Sequence, residues 1–339
     1  MTVSLGFGNP ENLKKVKQRY PPRLTRHLQR LIKLDPEGPI ARQFLPDGRE
    51  LMGEGLVVPW SSIPSFETPE GMERKYLGRI AVTLTTNCAA YCRYCFRKER
   101  TIRKKKDMSK LQIDGAVDYV RMDSRIRDVL LTGGDPLEVP HLLEYSMNAF
   151  RKIEHVGALR VGTRIPIVEP EKVTDGIVHI LVKNIRPEKP VEIGIHTNHP
   201  AELTKETKEV IAKLRGGGLF LYSQTVLLKG INDNAETLLE LFSTLRDNGV
   251  QPLYLFHCMP IKGGNHFRTK IEKDMVIMDR VNAETGRFRP HYTILTELGK
   301  VPGTRDCIMK TEGNIVTLRT QYNVDGTPGC SEVEYMDGG

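Results

Sequence analysis

The stretch RIAVTLTTNCAAYCRYCF, residues 79–96, joins a short apolar run to three closely spaced cysteines. Its first seven residues, 79–85, are mostly aliphatic and β-branched, which indicates a buried strand. Cys88, Cys92 and Cys95 follow directly with the spacing C-x3-C-x2-C. The first prediction is therefore a metal- or cofactor-binding loop at the end of a buried strand.

The same alternation of a short apolar run and a helical pattern continues along the chain. The predicted strands are 79–85, 127–133, 158–163, 191–197, 219–228 and 252–258. Parallel neighbours need a helical crossover, so six strand–helix units in succession predict a parallel sheet. We expect an α/β fold in which a partial (βα)6 barrel of the TIM type spans residues 79–289. A helical N-terminal extension with a connector (1–78) and a C-terminal segment (290–339) would flank it.

Polar side chains fall where the predicted strands end or near their ends. These groups are the three cysteines, Gly133–Asp135, Thr163–Arg164, His196–His199, Gln224 and His257–Met259. In a barrel of parallel strands the C-terminal ends converge on one mouth, where the following loops build the active site. The pattern favours one barrel-type active site over a nucleic-acid-binding module.

Composition excludes several classes of protein. The chain has 339 residues, 39% of them hydrophobic and 27% charged, and no apolar run approaches a membrane span. The N-terminus lacks a basic stretch followed by an apolar one, so we expect a cytoplasmic protein without membrane contact. Part of the net charge of +8 lies in RKERTIRKKK, residues 97–106. This run suits a solvated surface or an acidic partner, and with only Phe96 beside it nucleic acid is not expected.

Three cysteines are an unusual number for a metal site. A structural zinc takes four ligands, and no fourth candidate stands in the loop. An iron–sulfur cube bound by three thiolates leaves one iron open to a substrate or cofactor. Buried core thiols would not need so polar and arginine-rich a loop, so the spacing favours a cluster.

CAAYCRYC (88–95) after a first barrel strand resembles the signature of radical S-adenosylmethionine (SAM) enzymes. In that family SAM chelates the open iron of a [4Fe-4S] cluster and is cleaved to a 5′-deoxyadenosyl radical. Gly133–Asp135 in LTGGDPL is similar to the family's Gly-Gly-Glu element, where glycine permits close approach and the carboxylate offers the SAM amino group an acceptor. The resemblance implies SAM contacts at Tyr94, Gly133, Gly134, Asp135, Arg164, His199 and Gln224.

More of the chain, roughly residues 30–330, resembles the lysine 2,3-aminomutase family. The similar segments are DPEGPIARQFLP (35–46), CRYCFRK (92–98), VLLTGGDPL (129–137), RVGTRIPIV (160–168), HTNHPAELT (196–204), SQTVLLKGINDN (223–234) and HFRT (266–269). The resemblance implies an isomerase with a second cofactor, pyridoxal phosphate (PLP). The substrate would be a free amino acid whose α-amino group moves to the β-carbon after a hydrogen is removed there.

PLP requires a lysine as its point of attachment. The family's Gly-Lys near the C-terminus corresponds to Gly299–Lys300, with the glycine run reduced to one residue. The resemblance also implies that Arg79 and Lys75 hold the PLP phosphate, which needs cationic donors. Lysine stands at 75 where the family has arginine. Arg97 matches the arginine that binds the substrate carboxylate.

The predicted side-chain pocket departs from the lysine-specific relatives. Two aspartates that hold the lysine ε-ammonium in those enzymes correspond to Met259 and Thr293. A buried ammonium without a counter-charge is costly, so free L-lysine is a poor candidate substrate. Neither residue supplies a cation for a glutamate side chain. A neutral or mildly polar side chain fits better, unless His257, Lys262 or Glu297 redefines the pocket.

The resemblance leads to further expectations about metal and partners. Only Cys330 matches the cysteine-rich tail that binds zinc in some relatives, so no structural zinc is predicted, and Cys258 and Cys307 are expected to be packing residues. The run 97–106 would attract an acidic electron donor of the flavodoxin or ferredoxin type. A homo-oligomer is expected. The alternatives are a PLP-independent radical SAM enzyme that performs another hydrogen abstraction, or one that modifies RNA or protein.

Overall fold

Nine strands in chain order form the sheet that carries the site. The computed structural model describes residues 6–52, 66–103, 105–321 and 329–338. The strands are β1 (Met72–Tyr76), β2 (Arg79–Thr85), β3 (Asp128–Gly133), β4 (Ala158–Thr163), β5 (Val191–His196), β6 (Phe220–Leu227), β7 (Gln251–His257), β8 (His291–Thr296) and β9 (Gly299–Pro302). β2 to β8 are parallel, whereas β1 and β9 pair antiparallel at the two edges. The predicted partial barrel is confirmed.

The six predicted strands coincide with β2–β7 to within one residue at each end. β8 adds a seventh parallel strand, because it pairs with β7 after one more helical crossover. The segment after residue 290 thus contributes β8 and β9 to the barrel sheet. It also forms a separate antiparallel sheet of β10 (Ile308–Glu312), β11 (Ile315–Arg319) and β12 (Glu332–Met336).

Eleven α-helices are described: three precede the sheet in the chain, and the others lie between its strands. They are α1 (Pro10–Arg19), α2 (Arg26–Leu34), α3 (Pro39–Phe44), α4 (Lys98–Arg103), α5 (Lys110–Met122), α6 (Pro140–Arg151), α7 (Ile165–Val168), α8 (Asp175–Val182), α9 (Lys205–Gly216), α10 (Ala235–Asp247) and α11 (Ile271–Glu284). Each crossover helix turns an apolar stripe to the sheet; α5 buries Ile113, Ala116, Val117 and Val120 behind its Ser109 capping box. None of the described helices combines the length and apolarity that a membrane span needs.

Side chains of β1 contact the backbone of β9 and of the turn before it, so the two edges of the barrel sheet meet. The Tyr76 hydroxyl on β1 accepts a hydrogen bond from the Lys300 N–H on β9 at 2.8 Å. Lys75 Nζ lies 3.5 Å from the Glu297 carbonyl oxygen in the turn before β9. We call this junction the β1–β9 seam. Part of the connector (residues 53–65) and Lys104 of the basic run lie outside the described residues.

Candidate active site

One cavity of about 310 Å³ gathers side chains from all nine strands of the barrel sheet. The predicted site residues line it with two exceptions, His199 and Thr293. The cysteine loop after β2 and the lysine on β9 therefore face the same space, although more than 200 residues separate them along the chain.

The three cysteines form part of one wall of the cavity as free thiols. Burial, and secondarily the neighbouring cysteines, raise the pKa of Cys88 well above its ordinary value and that of Cys95 to about 11. Iron would offset both costs by binding the deprotonated sulfurs. Among the described residues no three His, Cys, Asp or Glu side chains are grouped to hold a metal ion. In a cluster each thiolate binds a different iron, and a shared wall of three thiols fits that donor set.

Arg164, which follows β4, ties the cysteine loop to the rest of the site. One terminal nitrogen of its guanidinium donates to Cys92 Sγ at 2.7 Å and also to Tyr94 Oη. The other donates to Gln43 Oε1 at 2.7 Å and to Glu202 Oε1 at 3.1 Å. These contacts use both terminal nitrogens of Arg164 within the protein, so the residue fixes the loop as well as lining the cavity.

Two residues of this network, Gln43 and Glu202, were not singled out from the sequence, whereas Asn198 lies within the predicted run His196–His199. Gln43 on α3 and Asn198 after β5 are fully buried, and the Asn198 amide donates to Gln43 Oε1 at 2.9 Å and to Tyr94 Oη at 2.6 Å. Glu202 accepts from Arg164, as described, and from Asn198 N at 3.0 Å. A glutamine on the buried face of a short helix is the only signal that the sequence offered for Gln43.

His196, and not the predicted His199, lines the cavity. Its ring stacks on Tyr94 with centroids 5.8 Å apart, and its Nε2 lies 2.9 Å from Tyr94 Oη. Burial lowers the pKa of His196 well below its ordinary value, so the ring is neutral. His199 instead caps the following turn by accepting the Ala201 N–H at 3.1 Å. The alternation of side chains along β5 turns residue 196 inward and could have identified it.

The Gly133–Asp135 loop packs tightly on the end of β2. A Cβ at Gly133 would lie 2.2 Å from the Thr85 carbonyl oxygen, and one at Gly134 would lie 2.0 Å from that of Asn87. The Asp135 carboxylate accepts from Thr163 Oγ1 at 2.8 and 2.9 Å and from the Arg164 N–H at 2.7 Å. Its oxygens therefore join the loops after β3 and β4, and the glycine backbone is what this loop presents to a ligand.

Lys300 lies opposite the cysteine loop in an aromatic environment. Its Nζ is 3.6 Å from the centroid of the Tyr254 ring and 5.1 Å from that of Phe256. Burial, and secondarily the Arg79 guanidinium, lower the pKa of Lys300 well below its ordinary value. The lowered pKa favours the neutral, nucleophilic form of the amine, which covalent attachment of a carbonyl cofactor needs.

Two predicted phosphate ligands line the cavity near Lys300. Arg79 Nε donates to Asp128 Oδ2 at 2.8 Å, which fixes the guanidinium from behind. Lys75 lies at the seam, and burial lowers its pKa. A cation held in place beside a neutral amine suits an anionic carbonyl compound such as PLP, so the residues present fit this cofactor.

Arg97, the predicted carboxylate ligand, contacts an acidic residue that the sequence did not single out. Its guanidinium lies 3.4 Å from Glu73 Oε2, and both side chains line the cavity and are about one-fifth exposed. Its neighbour Lys98 is buried, whereas Arg100 and Lys105 are exposed. Only part of the basic run is therefore a solvent-facing surface.

The predicted substrate end of the cavity is neutral. Met259 lines it, whereas Thr293 Oγ1 donates to the carbonyl of its own strand at His291, 3.0 Å away. Thr293 lies two residues before Leu295, so it shares the inward face of β8 but sits deeper than the cavity.

Of three residues proposed to redefine this end, only His257 lines the cavity. Its Nδ1 lies 2.7 Å from Asp274 Oδ2 on α11, and both side chains are fully buried. Lys262 and Glu297 do not line the cavity. His257 is therefore tied to the helix layer, and Lys262 and Glu297 offer no charge to the cavity. Cys258 and Cys307 pack in apolar clusters, as predicted.

Comparison with known proteins adds independent information. Residues 82–242 match the Radical SAM superfamily. The L-lysine 2,3-aminomutase of Methanococcus maripaludis is 34% identical over 90% of this chain and 71% of the relative. That of Clostridium subterminale is 33% identical over 88% and 74%. The glutamate 2,3-aminomutase of Clostridioides difficile is 34% identical over 77% and 64%.

Proposed function

This chain belongs to the 2,3-aminomutase family of radical SAM enzymes, and on that premise we propose that it is a PLP-dependent amino-acid 2,3-aminomutase. Radical SAM enzymes carry a [4Fe-4S] cluster and SAM. With PLP bound as well, these groups supply a 5′-deoxyadenosyl radical that abstracts hydrogen and a conjugated system that lets an amino group migrate. Cys88, Cys92 and Cys95 would hold the cluster, and the Gly133–Gly134 backbone would approach SAM.

The observation that carries the proposal is that the three cysteines and a lysine whose pKa is lowered by burial line one cavity. An enzyme that uses only the cluster and SAM has no need of a buried amine with a lowered pKa. Lys300 would attach PLP, Arg79 and Lys75 would bind its phosphate, and Arg97 would bind the substrate carboxylate. The substrate would lie between the cysteine loop and Lys300.

We further propose that the substrate has a neutral or mildly polar side chain. The relatives act on lysine and on glutamate, and they resemble this chain about equally, so overall similarity does not choose between charged substrates. The pocket end at Met259 lacks a charge of either sign, and the nearby Glu73 carboxylate is engaged with Arg97. A charged side chain would lose its hydration there without a partner.

The decisive experiment is covalent trapping of PLP in the reconstituted enzyme. Borohydride reduction should fix PLP on Lys300, as mapped by mass spectrometry, and Lys300→Ala should abolish both the adduct and the visible absorbance of bound PLP. Lys262→Ala, outside the cavity, is the matched control. Equal uptake of PLP by wild type and Lys300→Ala would exclude Lys300 as the point of attachment, whereas no uptake by wild type would favour the PLP-independent alternative.

Substrate identity follows from an anaerobic incubation with PLP, SAM, a reductant and a mixture of the common amino acids. We expect one with a neutral side chain to yield a β-amino isomer. Rapid turnover of L-lysine together with tight binding would contradict the substrate proposal.

We also propose an acidic flavodoxin- or ferredoxin-type electron donor that docks on the exposed part of residues 97–106. Arg100, Lys105 and Lys106 are exposed there, close in sequence to the cysteine loop. Neutralising residues 103–106 should slow reduction by such a donor but not by dithionite, since dithionite is small and needs no docking surface. Equal slowing with both reductants would reject the docking surface.

A further inference from the structure

Three buried charges lie behind the cysteine loop and outside the cavity. The side chains of Glu50, Arg93 and Lys98 are 0%, 1% and 4% exposed. The Glu50 carboxylate accepts from Arg93 Nε at 2.8 Å and from a terminal nitrogen of Arg93 at 2.6 Å, and Lys98 Nζ lies 3.2 Å from the same carboxylate. We call this cluster the Glu50 bridge.

The bridge joins three segments that are distant in sequence. Lys98 Nζ also donates to the Arg93 carbonyl at 3.0 Å and to the Gly263 carbonyl, in the loop after β7, at 2.8 Å. A terminal nitrogen of Arg93 donates to the Tyr20 carbonyl at 3.0 Å, and the Arg93 N–H donates to the Gln43 carbonyl at 2.9 Å. The N-terminal extension, the cysteine loop and the β7 loop therefore share one buried ionic junction.

The two cations of the junction belong to the cysteine loop or follow it closely in the sequence. Arg93 lies between Cys92 and Cys95, and Lys98 is three residues beyond Cys95. Buried ion pairs add little net stability compared with apolar packing, but they demand one geometry. Glu50 itself is fixed, because its carboxylate also accepts the Asp47 N–H at 2.9 Å.

We propose that Glu50 is a positioning residue that holds the cysteine loop in its cluster-binding conformation by bridging Arg93 and Lys98. The inference rests on the proposed cluster at the three cysteines. It assigns to the N-terminal extension a role in the iron site, although that extension contributes no thiol. Residues that orient metal ligands from the second layer typically change metal affinity by roughly 10- to 100-fold when they are replaced.

The test is the retention of iron by Glu50→Gln. This substitution keeps the size of the side chain but leaves two buried cations without their anion. We expect reconstituted Glu50→Gln to hold less iron and sulfide per chain, and to release iron to a chelator roughly 10-fold faster or more. The matched control is Asp123→Asn, which removes the carboxylate partner of the buried Arg74 at 2.8 Å, away from the cysteine loop. It should lower the melting temperature without faster iron release.

Lys98→Met keeps the inference testable if Glu50→Gln does not fold. It leaves Glu50 and Arg93 as a balanced pair, so it should fold, and it should release iron faster than wild type but slower than Glu50→Gln. If Glu50→Gln folds and releases iron at the wild-type rate, the inference is overturned while the cluster proposal stands. If Glu50→Gln does not fold, a wild-type rate of iron release from Lys98→Met overturns it in the same way. Equal acceleration in Asp123→Asn also overturns it. If wild type itself takes up no iron, the proposed function fails, and this inference fails with it.

Discussion

The two walls of the cavity control charge in different ways. The cysteine wall, comprising residues 88–95, Gly133–Asp135 and Arg164, satisfies its polar groups with hydrogen bonds from other parts of the chain. The lysine wall, comprising Lys75, Arg79 and Lys300, instead buries two amines and thereby lowers their pKa. The first wall is therefore rigid before any ligand arrives, whereas the second is poised for covalent chemistry. Four predictions test this difference.

The largest effect is expected for Arg164→Lys in the cysteine wall. A lysine cannot serve Cys92, Gln43 and Glu202 at the same time, because it lacks the planar fork of arginine. Each buried acceptor that loses its hydrogen bond costs about 1–3 kcal/mol, and the sum is measured as the loss in free energy of unfolding in urea.

The control for this substitution is Arg151→Lys. Arg151 is buried outside the cavity, and the acceptor identified for its guanidinium is the Pro190 carbonyl at 3.3 Å. It should lose only about 1 kcal/mol. Similar losses in both variants would show that the cysteine wall is not specially constrained.

Gly134→Ala should have the next largest effect. The added methyl group would lie 2.0 Å from the Asn87 carbonyl oxygen, so the loop must shift. Overpacking of this kind costs about 1–3 kcal/mol, and the displaced backbone should weaken SAM binding in equilibrium dialysis. Gly115→Ala is the control, since a methyl group there meets open space on α5 and should stabilise the protein by about 0.5–1 kcal/mol. Unchanged SAM affinity in Gly134→Ala would contradict the close approach of this loop.

The cysteine wall was largely predictable from sequence because its signals are local. The spacing of Cys88, Cys92 and Cys95 and the alternation in β2–β7 depend on neighbours within a few residues. The prediction of His199 has the same origin, because the motif points to the loop after β5, whereas the residue that lines the cavity is His196, at the end of β5. Asp135 was correctly placed at the cavity, yet its carboxylate is used by the protein in a way that no motif reveals.

The partners of these local motifs could not be predicted. Gln43 contacts Arg164 across 121 residues, and Tyr76 contacts Lys300 across 224. β1, with the sequence MERKY, carries charge instead of an apolar alternation, so its pairing with β2 left no periodic trace. Such contacts depend on how the barrel closes, which follows from the packing of the whole chain.

The lysine wall should respond to pH when Arg79 is replaced by methionine. Arg79 lowers the pKa of Lys300, so its loss raises that pKa and increases the protonated fraction at neutral pH. Attachment of pyridoxal, which lacks a phosphate, should slow by roughly 10-fold for each unit by which the pKa rises above the working pH, and it should recover at higher pH.

Measuring PLP attachment in Arg79→Met as well separates the effect of Arg79 on the Lys300 pKa from its proposed binding of the phosphate. If Arg79 also binds the phosphate, PLP attachment should remain weak at high pH while pyridoxal recovers. Arg125→Met, which replaces an exposed arginine, should change neither profile. Full recovery with both compounds would remove Arg79 from the proposed phosphate site and leave only its effect on the amine.

The smallest effect is expected at the β1–β9 seam. Tyr76→Phe removes the acceptor of the Lys300 N–H and keeps the ring, so it should cost about 0.5–1.5 kcal/mol. If the seam positions Lys300, PLP affinity should fall by about 2- to 10-fold, which is that energy converted to a ratio, while iron content stays at the wild-type value. Tyr119→Phe, whose hydroxyl lies 3.2 Å from the buried Arg74 and outside the cavity, should leave PLP affinity unchanged. An equal loss of iron and PLP in Tyr76→Phe would mean that the two walls move together, and the contrast between them would not hold. A loss confined to PLP would show that the lysine wall depends on one hydrogen bond between the two ends of the barrel sheet.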